Sequence, residues 1–312
     1  MLRRHGSDAQ PVGRGAAADI SRMRRDAILG RLGIRPSASA GIHHALEVSL
    51  TEAARDADGG IAVLDAGCGR KSPLVPFRDH IARLVGVDVH QPATTPSYLD
   101  EFLVADICSP HPSLEPGVFD VILSNFTLEH LEDPPTALAN LHAWLRPGGT
   151  LVMTTVNRRH PFVAAYLGLP PVVRDRAQVL VKTSREDAHR LVGACNDPVT
   201  ILAALAGAGF ERARIRTYGN LARAWGRHWP TFLVGAAGDL VAQCAPSRRS
   251  TIVAVARKPV AGPSDLTHAA SPASRWRADV PPAVSPRGAC TGSGAAGRRP
   301  SRAPCGGTPR SR

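Results

Sequence analysis

Val63-Leu64-Asp65-Ala66-Gly67-Cys68-Gly69, followed by Leu84-Val85-Gly86-Val87-Asp88, is the stretch on which the fold turns. Each half reads as a short apolar strand running into a turn, and together they predict the opening βαβ unit of a nucleotide-binding sheet. Gly67 and Gly69 remove the Cβ atoms that would hold a ligand away from the backbone. Asp88, closing the second strand, presents a carboxylate to a ribose diol, so the implied ligand carries an adenosine.

The residues after Gly69 narrow the ligand. A dinucleotide site would continue G-x-G-x-x-G and set a helix N-terminus against a pyrophosphate, whereas Gly69-Arg70-Lys71-Ser72-Pro73 offers no third glycine. Further on, Leu103-Val104-Ala105-Asp106-Ile107 reads as a third strand end carrying an acid, and Val118 to Asn125 as a fourth strand. Leu145-Arg146-Pro147-Gly148-Gly149 then reads as a turn feeding a fifth strand, Thr150 to Thr154. This ordered series resembles the class I S-adenosylmethionine-dependent methyltransferases, in particular their small-molecule, type 11-like branch, over residues 41–258.

The resemblance implies an α/β fold: a Rossmann-like, doubly wound, seven-stranded sheet with helices on both faces and a lid insertion. It implies S-adenosyl-L-methionine as cofactor. Asp65, Gly67, Cys68 and Gly69 would line its methionine end, and Asp88 with Val89 its ribose. Asp106 would meet the adenine amino group, Ile107 would pack beside the ring, and Asn125 would lie near the sulfonium. The family motif usually has glycine where Lys71 stands, and a cation beside a sulfonium is unfavourable, so Lys71 is expected to point outward.

The net charge of +12 over 312 residues suggests nucleic acid until it is divided along the chain. Residues 1–35 carry +5 and residues 257–312 carry +8, leaving the centre near neutral. Solvated tails explain that pattern, and no specific nucleic-acid partner is expected. The six cysteines show neither paired spacing nor histidine neighbours, which predicts no metal site, no disulfide framework and a reducing cytoplasm. No apolar run succeeds Arg3 and Arg4, so a secretory signal is not expected, and the apolar run from Trp229 to Ala245 is interrupted by Asp239 and short for a bilayer. Peripheral membrane contact stays open, and the oligomeric state is not legible.

Residues 1–40 read as a basic flexible segment, although Ile20, Met23, Ala27, Ile28 and Leu32 mark a short amphipathic helix. A domain over 41–258 comes next, opened by a helix near Ala40 to Ala57. Asp133 caps a helix over Pro134 to Trp144, and Pro198 to Ala208 forms another, stopped by Gly209 before a strand from Phe210 to Tyr218. Ser250 to Ala256 is the last strand. Two insertions interrupt the pattern, about 157–196, expected as a lid, and 219–248, read either as a helix over the sheet edge or as an exposed apolar face. Residues 259–312, of which 33 of 54 are Pro, Gly, Ala or Ser, read as a disordered tail dispensable for catalysis.

Methyl transfer from a sulfonium is an in-line displacement, so the protein mainly aligns the acceptor and excludes water. An oxygen or nitrogen acceptor must also lose a proton, and His130, in Leu128-Glu129-His130-Leu131 after the fourth strand, is the candidate base, its alternative being a ring packed at a helix start. Asn157 and His160 are second-rank acceptor contacts; His43 and His44 read as surface or lid residues, and His90 as an edge of the adenosine pocket. Asp65 and Asp120, acids in apolar strands, have the alternative role of binding backbone N–H groups. The leading function is methylation of a small-molecule acceptor, at oxygen on a sugar, lipid-linked or natural-product substrate. Against it stand a non-catalytic binding protein, a nicotinamide-dependent oxidoreductase and an RNA methyltransferase, the last opposed by Ser124-Asn125-Phe126-Thr127 in place of an N-P-P-[YF] motif.

Overall fold

Strands with no polar alternation need cover on both faces, and here they receive it. The computed structural model describes residues 23–34, 38–56, 59–174, 176, 192–226 and 228–260. Its strands β1 (Ala62–Ala66), β2 (Arg83–Asp88), β3 (Glu101–Val104), β4 (Phe119–Asn125), β5 (Leu145–Val156), β6 (Glu211–Tyr218) and β7 (Thr251–Arg257) form one sheet. Their order is β3-β2-β1-β4-β5-β7-β6. β7 runs antiparallel to both of its neighbours, and the remaining pairs are parallel. The chain leaves β1 toward β2 and β3 and then returns to β1's other side as β4, which opens a crevice outside the carboxyl ends of β1 and β4.

Successive side chains on a strand point to opposite faces, and this sorts the core into two layers. Val63, Val121, Leu123, Val152 and Val253 pack against Ile42, Leu46 and Leu50 of α1 (Ala38–Asp56). Their neighbours Leu64, Ile122, Leu151 and Ile252 pack against Leu138 and Leu141 of α2 (Pro134–Trp144) on the other face. α3 (Pro161–Leu167) follows β5, and Ile201 and Leu205 of α4 (Pro198–Gly207) join the α2 layer. Each such fully buried leucine or isoleucine contributes about 1.5–3 kcal/mol. Asp133 caps α2 as expected, its carboxylate accepting from Thr136 N at 3.1 Å, with Pro134 and Pro135 in the first turn where no N–H is needed.

Three expectations change. The crossover from β1 to β2 holds only a 3₁₀ segment, Val75–His80, with Pro76 in its first turn. Gly148 and Gly149 lie inside β5, which starts at Leu145, and form an irregularity in its register with β4. Gly148 has φ +80°, and a Cβ on Gly149 would lie 2.9 Å from the Arg146 carbonyl oxygen. The N-terminal segment, expected to be flexible to residue 40, is in part ordered: residues 23–31 are helical, and Leu29 is buried among Ala222, Phe232 and Ala236. The 219–248 insertion is helical, in line with the first of its two readings: α5 (Leu221–Ala224), α6 (Trp229–Gln243) and a 3₁₀ turn, Pro246–Arg248.

Asp239, which interrupts the apolar run on α6, is buried and satisfied: it accepts from Ala222 N at 2.9 Å and from Ser250 Oγ at 3.2 Å, locking the insertion to the start of β7. No helix among the described residues is long and apolar enough to cross a membrane. Of the expected lid, residues 175 and 177–191 lie outside the described residues, as do the first 22 residues and the tail from 261 onward.

Candidate active site

The glycine turn after β1 is built by close backbone approach. Gly67 and Cys68 both donate to the Val87 carbonyl, at 2.8 and 3.1 Å, which draws the turn over the end of β2. Gly67 has φ +79°, and a Cβ there would meet Thr127 Oγ1 at 2.3 Å. Gly69, at φ +52°, has nothing within 4 Å of its Cβ position, so the space beside it is open to a ligand. Asp88 sits where the sequence places it, at the end of β2. It accepts from Gly69 N and from His90 N, both at 3.0 Å, and so holds the turn while each oxygen keeps a further lone pair. Val89, next to it, is exposed, and Lys71 is exposed as expected.

Behind the turn lies a carboxyl group with unspent capacity. Asp65 is 1% exposed, and its Oδ2 has no hydrogen-bond partner. Burial raises its pKa, the Ser72 hydroxyl bond lowers it, and Asp88 adds to the rise, leaving it at about 7. A buried, unpartnered carboxylate oxygen is costly unless a donor arrives, and a ligand ammonium is the donor that repays most. The Tyr98 hydroxyl, also buried and unpartnered, lies in the same surroundings, its acidity suppressed by burial and by Asp65. The Cys68 thiol is held far from ionisation by burial and then by Asp65 and Asp88, which removes it as a nucleophile. Ser72 and Tyr98 escaped the sequence reading, since neither belongs to a strand-end pattern.

The end of β4 forms the facing wall. Asn125 Oδ1 accepts from Thr154 Oγ1 of β5 at 2.7 Å, and Phe126 N donates to the Thr154 carbonyl at 3.1 Å. Phe126 is held at φ +54°, a conformation that side-chain-bearing residues adopt only when the surroundings impose it. Thr127 Oγ1 donates to the Ala66 carbonyl at 3.2 Å and ties this turn to the end of β1. The 3₁₀ segment Leu128–His130 then places His130, half-buried, at the same end of the sheet. Glu129 beside it is buried and accepts from Thr155 Oγ1 at 2.9 Å, while Asn196 Nδ2 donates to that hydroxyl at 2.8 Å. Val192 N and Gly193 N reach the Glu129 carbonyl, so the end of the first insertion is pinned beside His130.

Other candidates separate. Asp106 is exposed, just past β3, with one oxygen accepting from Cys108 N at 2.9 Å. Ile107 is buried in the core layer that contains α2, and Asn140 of α2 donates to its carbonyl at 2.9 Å. Asn157 and His160, expected as acceptor contacts, are fully buried, and His160 Nε2 has no hydrogen-bond partner. Asn157 donates to the Ser247 and Arg249 carbonyls, and His160 Nδ1 accepts from Phe162 N as the cap of α3, its pKa lowered by burial. His43 and His44 are exposed on α1, as expected. Asp120 lies at the opposite end of β4, accepts from Ala62 N at 2.8 Å and pairs with Arg146, which is the backbone-binding alternative.

A profile described as a methyltransferase domain matches residues 40–213. Ubiquinone biosynthesis O-methyltransferase of Bradyrhizobium diazoefficiens is 33% identical over 122 residues, covering 37% of this chain and 48% of that one. Malonyl-[acyl-carrier protein] O-methyltransferase of Pseudescherichia vulneris is 29% identical over 143 residues, 45% of this chain and 47% of that one. The chain thus spans about half the length of the curated relatives it matches. Among solved structures, an S-adenosylmethionine-dependent methyltransferase from Mesorhizobium loti superposes with a TM-score of 0.42 at 20% identity, covering 69% of this chain and 98% of that one.

Proposed function

From the premise that this chain belongs to the class I S-adenosylmethionine-dependent methyltransferases, we propose that it methylates an oxygen of a small-molecule acceptor: a sugar, a lipid-linked compound or a natural product. The observation that carries the reading is the buried Asp65 carboxyl with an unpartnered oxygen behind an open glycine turn. S-adenosylmethionine supplies a methyl group on a sulfonium, which leaves as a neutral thioether when the acceptor oxygen attacks. Asp65 would accept from its ammonium, with Gly67, Cys68 and Gly69 giving the backbone approach that such a zwitterion needs. Asp88 and Val89 would hold the ribose, and Asp106 the adenine edge. Asn125, fixed by Thr154, would line the wall nearest the transferred methyl.

His130 would take the acceptor's proton as the new C–O bond forms, and Glu129, Thr155 and Asn196 would keep that segment in place. That the two relatives described above are named as O-methyltransferases supports oxygen as the receiving atom. Cysteines without a pairing pattern support a reducing, cytoplasmic setting. The test is calorimetric titration of the full chain with S-adenosylhomocysteine, with NADH as control, followed by transfer of labelled methyl to an acceptor panel of sugars, quinols and polyketides. Selective binding of the homocysteine compound with labelled product supports the proposal. Binding without turnover on any oxygen acceptor would favour a non-catalytic protein, and binding of neither would overturn the cofactor assignment.

A further inference from the structure

The insertion before β7 carries a surface that catalysis does not explain. On α6, at about 100° per residue, Trp229, Leu233, Val234, Ala237, Leu240 and Val241 share one outward side. That side holds no charged residue; the one acid of the helix, Asp239, points into the protein. Leu233 and Val241 are 55% and 65% exposed. Leu169, Val172 and Val173 of the first insertion are exposed as well, and on its buried side α6 packs against α3, since a Cβ on Gly238 would meet Phe162 at 2.8 Å. Both insertions leave from the end of the sheet that carries the candidate site, α3 after β5 and α6 after β6.

Cations border this surface. The helical segment 23–31 lies along α6: Arg25 stacks on Trp229 with its guanidinium carbon 5.2 Å from the ring centre, and Gln243 reaches the Leu32 carbonyl. Arg24 and Arg31, two turns apart on one side of that segment, are exposed and have no acidic partner among the described residues. The one acid there, Asp26, is neutralised by Arg223. A second copy docked on this face by a twofold axis would bring collars of the same sign together, whereas anionic phospholipid headgroups complement them while the acyl region receives the apolar side chains.

We propose that α6 and the segment 23–31 form a membrane-docking face for an anionic phospholipid surface, which lowers the candidate site onto the bilayer. The proposal goes beyond methyl transfer and is tested without it. Co-sedimentation of the full chain would use vesicles of phosphatidylcholine alone and with one third phosphatidylglycerol, at low and high salt. The expected result is selective binding to the phosphatidylglycerol vesicles, reduced by salt, and at least tenfold weaker for the double variant Leu233→Asp, Val241→Asp with an unchanged thermal melt. Binding that survives the double substitution would assign it to the basic tails and overturn the proposal. So would absence of binding by the unsubstituted chain, or a dimer in size-exclusion chromatography that the substitution dissolves. Should the double variant fail to fold, brominated-lipid quenching decides: quenching by anionic vesicles that is lost in Trp229→Phe is expected, and quenching unaffected by that change refutes the docking face.

Discussion

Replacing Asp65 with asparagine should make the ligand-free protein more stable and its cofactor binding weaker. Burial raises the carboxyl from 3.8 to about 7, so between those values the folded protein holds a proton that the unfolded chain has released. Stability on this account falls as pH rises from about 4 to 7 and stays low above it. At about 1.4 kcal/mol per pH unit, ionising Asp65 opposes folding by up to about 4 kcal/mol at pH 8. Asparagine keeps the shape and the Ser72 contact but carries no charge, so most of that cost disappears. A domain of this size gains about 2–4 °C per kcal/mol, so the melting temperature at pH 8 should rise by roughly 10 °C, and the two proteins should converge near pH 4. Loss of a charged hydrogen bond to the ligand ammonium should weaken S-adenosylhomocysteine binding about tenfold to a hundredfold. Melts at pH 4.5 and 8, with titration calorimetry at pH 8, measure both. An asparagine variant no more stable than the parent at pH 8, or one that binds the ligand with undiminished affinity, would refute the reasoning.

Asp88→Ala removes both the acceptor proposed for the ribose hydroxyls and the anchor of Gly69 N. Affinity for S-adenosylhomocysteine should drop by about 1–3 kcal/mol, and unchanged affinity in the titration would remove Asp88 from the site. Gly67→Ala forces a side chain into a left-handed position 2.3 Å from Thr127. It should lower the melting temperature and weaken ligand binding together, with strain of about 1–2 kcal/mol from the backbone alone; a melt equal to the parent's would contradict the close approach. His130→Ala should leave S-adenosylhomocysteine affinity intact while labelled-methyl transfer falls about 10²–10⁴-fold. Full turnover would return His130 to a packing role.

How much of this was legible in the sequence depends on how local each cause is. The strands were readable because apolar runs such as Val121-Ile122-Leu123 require cover on both faces, and α2 because Asp133 and Pro134 encode its start within three residues. The positions of Asp65 and Asp88 on β1 and β2 were readable because each follows an apolar run. The rest arises where segments distant in sequence meet. Glu129 carries no local sign of burial; it is enclosed by Thr155, brought by β5, and by Asn196, brought by the end of the first insertion. Phe126 takes its unusual backbone from two contacts with Thr154, 28 residues away, which no local pattern announces. Asp239 looked like an interruption of an apolar helix and is instead its fastening to Ser250. Asp239 is a polar group in an apolar context, and such a group signals a partner without naming it. The same reasoning gives Asp65 its weight, because it keeps a buried carboxylate oxygen for which the folded protein provides no partner.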